Sequence, residues 1–295
     1  MTSLAPSEIS PFSPYRADGK LYGFICIVTG ALEPLGRAIA HELATHGAAC
    51  IYLCGPESDL SSPAAEDLVS AIEKSAPKTK CIPYPLPTIS SDEQATLALI
   101  DEALNAWGRL DVWVCCPPAA TQGPAKIADT APRDLQLCFE SHALAPFFAL
   151  KYAAPAMGKL LEEARNYPNA ARKDQAYGSI IVVGSVASFV GGGGWGPCFT
   201  LSAHAALGVV RSGVGVLKGT GVRVNSVSVG KVDESGEGPG SGGGEKNDVV
   251  ERAGTPTEVA RVVGFLASGF SAYVNGANLV VDGGATVMAP LAMSS

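Results

Sequence analysis

The sequence lacks the cysteine spacings, the basic excess and the long apolar run that define several common classes of protein. Its eight cysteines form no CxxC pair, so zinc-ribbon and dithiol redox sites are not predicted, and no metal site is expected. Acidic residues outnumber basic ones by 28 to 21, and the resulting net charge of −7 argues against nucleic-acid binding. The longest uncharged stretch, residues 175–210, is interrupted by four glycines and predicts no membrane span.

The N-terminal segment has no signal-peptide pattern. Residues 1–20 contain three prolines but neither a basic start nor an apolar centre. We therefore expect a flexible leader on a cytoplasmic protein whose thiols stay reduced. Residues 289–295 are expected to form a tail.

Apolar runs alternate with helical patterns along the rest of the chain. Apolar residues make up 47% of the sequence and charged residues 17%, which is enough to build a large core. The alternation predicts a single α/β domain over residues 21–288, a Rossmann-like doubly wound parallel sheet of about seven strands. Two stretches are predicted as surface insertions, the polar segment 166–177 and the glycine-rich segment 235–247. The predicted strands are 24–28, 51–53, 81–86, 110–116, 179–183, 222–229 and 279–281, and the helices are 35–46, 64–75, 91–107, 132–164, 200–218 and 257–268.

A glycine-rich turn follows the first predicted strand and opens the first helix. It runs from Thr29 to Gly36, and this context is typical of nucleotide binding. Backbone N–H groups at a helix N-terminus attract phosphate, and an open parallel sheet binds ligands beyond the carboxyl ends of its strands. The sequence therefore predicts a ligand site at this edge of the sheet.

Six segments, in order along the chain, carry a resemblance to the short-chain dehydrogenase/reductase family. They are Thr29-Gly30 with Gly36, residues 107–112 (WGRLDV), 178–185 (GSIIVVGS), 222–225 (VRVN), 252–256 (RAGTP) and 275–284 (NGANLVVDGG). The chain resembles the family from about Lys20 to Ala285. The resemblance implies a nicotinamide cofactor, a small-molecule substrate, and a homodimer or homotetramer formed through helices 132–164 and 200–218.

The positions that would hold NADP(H) depart from the family's pattern. Pro34 replaces the middle glycine of the turn and removes one N–H group, and Pro87 stands near the family's adenine-binding aspartate. Residues 54–56 offer neither the acid nor the arginine that selects between NAD and NADP, and residues 115–118 (CCPP) replace Asn-Asn-Ala-Gly. We expect cofactor binding to be weak or lost. The residues that the resemblance assigns to the cofactor are Thr29, Gly30, Leu35, Gly36, Cys54 and Cys116.

The catalytic positions are changed as well. The family uses a serine, a tyrosine, and a lysine four residues beyond the tyrosine. Ser185 fits the serine, and aligning residues 205–207 with the family's motif puts Thr200 at the tyrosine and His204 at the lysine. Threonine does not titrate in the working range, so ordinary ketone reduction by this apparatus is not expected.

Histidines are expected to take over proton transfer. The family's supporting asparagine falls on His142, or on Ser141 if the alignment shifts by one, and His204, His142 and Ser185 would then meet in one cleft. Imidazole is suited to proton transfer near neutral pH. We expect His204 to matter more than Thr200. The alternative is that the histidines only fill space left by the lost side chains.

Two aromatic residues are candidates for contact with substrate. Trp195 lies in a glycine-rich loop after the strand that ends at Ser185, and Phe199 immediately precedes the next predicted helix. A tryptophan on such a loop covers an apolar ligand or anchors the loop to its own domain. The glycine-rich segment 235–247 lies where the family has its substrate lid, and it either closes over a ligand or is disordered.

Three functions remain open on the sequence alone. The first is an enzyme with altered chemistry, similar to family members of fungal natural-product pathways that lack the tyrosine and lysine. Such an enzyme would act on a small apolar or heterocyclic substrate by reduction of an activated C=N bond, by cyclisation or by isomerisation. The second is a non-catalytic binding or scaffold protein. The third is an NAD(P)-dependent carbonyl reductase with a substituted proton donor.

Overall fold

The computed structural model describes seven parts of the chain: residues 20–86, 92–118, 123, 126–158, 177–191, 195–233 and 252–288. The predicted tail, nearly all of the leader, Pro87, the whole of segment 235–247 and all but one residue of segment 166–177 lie outside these parts. Within them, no helix is long and apolar enough to cross a membrane.

Seven strands form one parallel sheet in the order β3-β2-β1-β4-β5-β6-β7. The order reverses beside β1, which pairs with β2 on one side and β4 on the other. Most of these strands are short apolar runs, because both faces of the sheet are covered; all five residues of the first are buried. The strands are β1 Ile25–Thr29, β2 Cys50–Gly55, β3 Lys80–Pro85, β4 Val112–Cys115, β5 Gly178–Ser185, β6 Val222–Val229 and β7 Asn278–Val281.

Helices cover both faces of the sheet, each over its own layer of core. The layer under α1 and α9 contains Leu43 and Val263, and the layer under α4 and α8 contains Leu99 and Val210. This two-sided arrangement confirms the predicted doubly wound α/β fold. The helices are α1 Pro34–Thr45, α2 Glu57–Leu60, α3 Pro63–Ser75, α4 Glu93–Trp107, α5 Pro132–Phe139, α6 Ala145–Phe148, α7 Ala154–Met157, α8 Pro197–Val216, α9 Pro256–Ala267 and α10 Ala285–Met288.

The helical region after β4 is divided by two wide turns. Residues Glu140–Leu144 and Ala149–Ala153 are π-helical, and the short helices that follow them carry Pro146 and Pro155 at their second positions. Proline has no N–H group and its ring clashes with the carbonyl four residues earlier, so the preceding turn widens. The predicted interruptions at these prolines are therefore confirmed. The carbonyl displaced by Pro146 is that of His142.

A buried ionic network joins strands β1 and β4 at their amino ends. The Asp111 carboxylate accepts hydrogen bonds from Arg109 Nε and Nη2, each at 2.8 Å, and from the Ile25 N–H group at 2.9 Å. Arg109 Nη2 also donates to the Tyr177 hydroxyl at 2.7 Å. Because every side chain in the network is buried, it stabilises the edge of the sheet opposite the one where ligands are expected.

Candidate active site

A cavity of about 420 Å³ opens at the carboxyl ends of the central strands. This size falls in the usual range for small-molecule sites, about 300–1,000 Å³. Its wall is mostly apolar, with one hydroxyl side chain, one imidazole and two charged side chains. The lining residues are Glu33, Leu35, Cys116, Pro117, Pro118, His142, Val183, Gly184, Ser185, Trp195, Phe199, Ala203, Ala206, Val229, Gly230, Lys231 and Val232.

The glycines of the first turn are required by backbone packing. Gly30 has a φ of +62°, and a Cβ atom there would lie 2.3 Å from the Cys116 carbonyl oxygen. A Cβ atom on Gly36 would lie 2.0 Å from the Gly30 carbonyl oxygen. The Thr29 hydroxyl accepts from the Cys116 N–H group at 3.2 Å. These residues tie the end of β1 to the end of β4 whether or not a ligand binds.

The same turn fits a phosphate group poorly. The Ala31 N–H group donates to the Cys54 carbonyl, and the Glu33 N–H group donates to the Gly30 carbonyl. Pro34 has no N–H group to offer. The Glu33 side chain also lines the cavity beside the start of α1, where a carboxylate repels an anion. The turn therefore offers a phosphate group fewer N–H donors than the family's glycine turn does, and it places a negative charge where it repels the phosphate.

Two of the six predicted cofactor residues, Leu35 and Cys116, line the cavity, while four do not. Cys54 is fully buried within β2, and its Sγ atom lies 3.7 Å from the Tyr52 carbonyl oxygen. The other three are Thr29, Gly30 and Gly36, whose packing is described above. The resemblance assigns Cys54 to the cofactor, but its side chain is packed in the core.

The helix face that meets the cavity is one residue out of register with the predicted one. Phe199, Ala203 and Ala206 of α8 line the cavity, because residues spaced by three and four share one face of a helix. Thr200 and His204 are absent from the lining, and the His204 ring is exposed, with Nδ1 2.9 Å from the Thr200 carbonyl. The structure therefore does not bring His204 into one cleft with His142 and Ser185, and Thr200 also lies off the lining. The positions four residues apart that face the cavity hold phenylalanine and alanine.

His142 does line the cavity, and its ring is held at one nitrogen. Nδ1 lies 2.8 Å from the Cys138 carbonyl oxygen and 3.2 Å from the Ser202 hydroxyl oxygen. The residue is 5% exposed, and burial lowers the pKa of the imidazole below its ordinary value because the charged form loses hydration. The neutral ring is therefore favoured. Ser141, the alternative at this position, is not part of the lining.

Ser185, Trp195 and Phe199 join His142 on the wall of the cavity. The Phe199 and His142 rings meet edge to face, with centroids 5.3 Å apart. The Ser185 Oγ atom accepts from the Ala187 N–H group at 3.2 Å. Its hydroxyl hydrogen is not used in that bond and can be donated to another acceptor. The site thus combines apolar walls with a hydroxyl donor and an imidazole.

Three polar residues of the site were missed by reasoning from the sequence. Glu33 and Lys231 line the cavity, and Ser202 is the buried partner of His142. Glu33 and Lys231 both follow the carboxyl ends of strands, a position that marks ligand contacts in this fold class. Ser202 had no such signal, since its role depends on helix packing. In the described residues, no cluster of three metal-ligating side chains occurs.

Comparisons with known proteins agree with this fold. The family model described as enoyl-(acyl carrier protein) reductase matches residues 30–286. The sex determination protein tasselseed-2 of Zea mays is 30% identical, covering 92% of this chain and 83% of its own. The short-chain dehydrogenase fogB of Aspergillus ruber is 27% identical, covering 89% and 96%. The crystal structure of acetoin dehydrogenase from Enterobacter cloacae superposes with a TM-score of 0.74 at 23% identity, covering 90% and 96%. The chain belongs to the short-chain dehydrogenase/reductase family of oxidoreductases.

Proposed function

We propose that this family member is an enzyme with altered chemistry that acts on a small apolar or heterocyclic substrate. The observation that carries the proposal is the cavity face of α8, where Phe199 and Ala203 stand four residues apart. The family's reaction places a tyrosine and a lysine at this spacing. Phenylalanine and alanine neither donate a proton nor lower a neighbour's pKa, so reduction of an ordinary ketone lacks the family's proton donor.

Weak or absent binding of NADP(H) is part of the proposal. Pro34 removes a phosphate donor, Ala203 replaces the ribose-binding lysine, and Glu33 adds a carboxylate at the cavity wall. Each of these changes costs about 1–3 kcal/mol, so the three together weaken affinity by at least about a hundredfold. Low-micromolar binding of NADP, measured by calorimetry on the purified protein, would contradict this part.

His142 supplies the chemistry that remains. The hydrogen bond to the Cys138 carbonyl places the ring proton on Nδ1, so Nε2 carries a lone pair and can accept a proton. A base in an apolar cavity suits isomerisation or cyclisation: Nε2 takes a proton from carbon or oxygen and returns it to another atom of the same substrate. These steps need no oxidant or reductant. Reduction of an already positive C=N bond is the redox form of the same proposal: it needs no proton donor, but it takes a hydride from NADPH and therefore requires that weak cofactor binding is retained.

Hydrogen–deuterium exchange tests the proposal without knowledge of the native substrate. The probe is 2-tetralone, a flat ketone with acidic C–H groups, incubated with the protein in D₂O and followed by proton NMR. We expect the wild type to exchange these protons about a hundredfold faster than His142→Leu, the usual scale of general base catalysis. His204→Leu is the matched control and should keep the full rate. Equal rates for the wild type and His142→Leu would overturn the proposal in favour of a binding or scaffold protein.

We also propose that the protein is cytoplasmic and forms a homodimer or homotetramer through α8 and the helical region around α5. Two exposed apolar side chains support this assembly, Leu201 on α8 and Phe139 on α5, which are 59% and 47% exposed.

A further inference from the structure

The protonation of the His142 ring is fixed by its neighbours. A backbone carbonyl can only accept a hydrogen bond, so the contact with the Cys138 oxygen requires a proton on Nδ1. The Ser202 hydroxyl donates to the Phe199 carbonyl at 3.0 Å, and its oxygen is therefore free to accept from the same Nδ1–H group. Ser202 is completely buried. Both neighbours favour the same tautomer.

Because His142 lines the cavity and its neighbours engage Nδ1, we infer that Nε2 is the nitrogen that it presents to the cavity. Both recorded hydrogen bonds of His142 engage Nδ1, and within the described parts of the chain none engages Nε2. Because the neutral imidazole carries its lone pair on the unprotonated nitrogen, Nε2 presents an acceptor to whatever occupies the cavity. A ligand that fills the cavity shields this acceptor from water, and an acceptor buried without a partner is costly. A ligand with a hydrogen-bond donor avoids that cost, whereas a ligand without one does not.

The walls around this acceptor favour a flat ligand. The Phe199 ring meets the imidazole edge to face, and Trp195, Pro117 and Pro118 add further flat surfaces to the lining. Aromatic ligands stack on such surfaces. The small side chain of Ala203 leaves room on the α8 side.

We propose that the cavity selects flat aromatic ligands bearing a hydroxyl group, which donates to His142 Nε2, and that Ser202 is the positioning residue that holds the ring in this tautomer. The inference rests on the proposed function in that it names the ligand class of the same cavity. It predicts discrimination against the corresponding ethers and hydrocarbons, which bring no hydrogen to the acceptor.

Calorimetric titration with 2-naphthol and 2-methoxynaphthalene tests the selectivity. We expect the wild type to bind 2-naphthol at least tenfold more tightly than the ether, because the ether leaves Nε2 unpaired. His142→Leu should bring the ratio close to one, and the matched variant His204→Leu should leave it unchanged. A ratio near one in the wild type, or a ratio that survives in His142→Leu, would overturn the inference.

Nitrogen-15 NMR of the imidazole tests the role of Ser202. We expect the wild-type spectrum to show His142 with Nδ1 protonated and Nε2 unprotonated. In Ser202→Ala, the signals should shift toward a mixture of tautomers, and the preference for 2-naphthol should fall about threefold while affinity for the ether stays the same. A loss of affinity for both probes alike would indicate a merely structural role, and a protonated Nε2 in the wild type would refute the proposal.

The two sets of tests fail separately. Equal binding of the two naphthalene probes overturns the inferred ligand class, while proton exchange on 2-tetralone still depends on His142. Loss of that dependence overturns the proposed function, while hydroxyl selectivity remains measurable by binding alone.

Discussion

At the scale of single residues, the two histidines that the sequence placed in one cleft lie in opposite environments. His204 is exposed on the outer face of α8, whereas His142 is buried at the cavity wall. The ring of His142 is faced by the Cys138 carbonyl and the Ser202 hydroxyl, and the charged side chains that share its cavity are Glu33 and Lys231. Desolvation outweighs the Cys138 contact and lowers the pKa of His142.

Burial of His142 makes stability depend on pH. The unfolded chain takes up a proton near the ordinary pKa of 6.5, whereas the folded chain does so only at lower pH. Between these two values the unfolded state binds more protons, so the free energy of unfolding falls as pH falls. The stabilising contribution of the neutral His142 ring to the free energy of unfolding is therefore fully present above pH 6.5.

We expect urea denaturation across this pH window to show that the free energy of unfolding depends less steeply on pH in His142→Leu than in the wild type. His204→Leu is the control and should keep the wild-type slope. A His142→Leu slope equal to the wild type would mean that the ring titrates alike in the folded and unfolded states.

At the scale of elements, the register of α8 decides what the cavity can do. Introducing Phe199→Tyr together with Ala203→Lys should place a phenol and an ammonium on the cavity face and raise NADPH-dependent ketone reduction by at least tenfold. The same two residue types at Thr200 and His204 should add nothing, because those positions lie off that face. Reduction of 2-tetralone, followed by NADPH absorbance, measures both variants. Equal gains would contradict the register seen in the structure.

The π-helical turn at Glu140–Leu144 is the second element that shapes the site. Pro146 prevents the regular hydrogen bond to the His142 carbonyl, so Pro146→Ala should let this turn tighten toward an α-helix and rotate the imidazole. We expect a loss of 2-naphthol selectivity with little change in thermal stability. Pro155→Ala is matched to it, since it relaxes the other π-helical turn, Ala149–Ala153, and it should keep the selectivity.

At the scale of the whole molecule, the strands of the sheet could be predicted from the sequence more accurately than the residues of the site. Strands buried on both faces appear as continuous apolar runs, and β6 was predicted at its observed bounds, Val222–Val229. The face of α8 was harder, because the small residues around Ala205 and Ala206 fit two alignments one residue apart. Only packing against the sheet selects between them. The same holds for Cys54, whose strand-end position did not reveal that its side chain points inward.

The amino ends of the strands contribute to stability and the carboxyl ends form the cavity, and this separation is testable. The Arg109–Asp111 pair is buried at the amino edge, and the cavity lies at the carboxyl edge. Replacing Asp111 by asparagine removes the carboxylate that accepts from Arg109 Nε and Nη2, and breaking a buried ion pair in this way costs about 3–5 kcal/mol in unfolding free energy. We expect urea denaturation to show this loss, with 2-naphthol binding retained where the protein is folded. Asp101→Asn, at an exposed position of α4, should change neither quantity.

The glycine turn after β1 has an evolutionary consequence. Side chains at Gly30 and Gly36 would collide with backbone atoms of the protein itself, so selection for folding alone suffices to keep both glycines after a lineage abandons its coenzyme. The two glycines by which this chain resembles dehydrogenases therefore indicate common descent and a common fold, and not by themselves the use of a coenzyme. Relatives that no longer use a coenzyme would still keep both glycines, whereas a change in function would be expected at neighbouring positions of the turn such as Glu33 and Pro34.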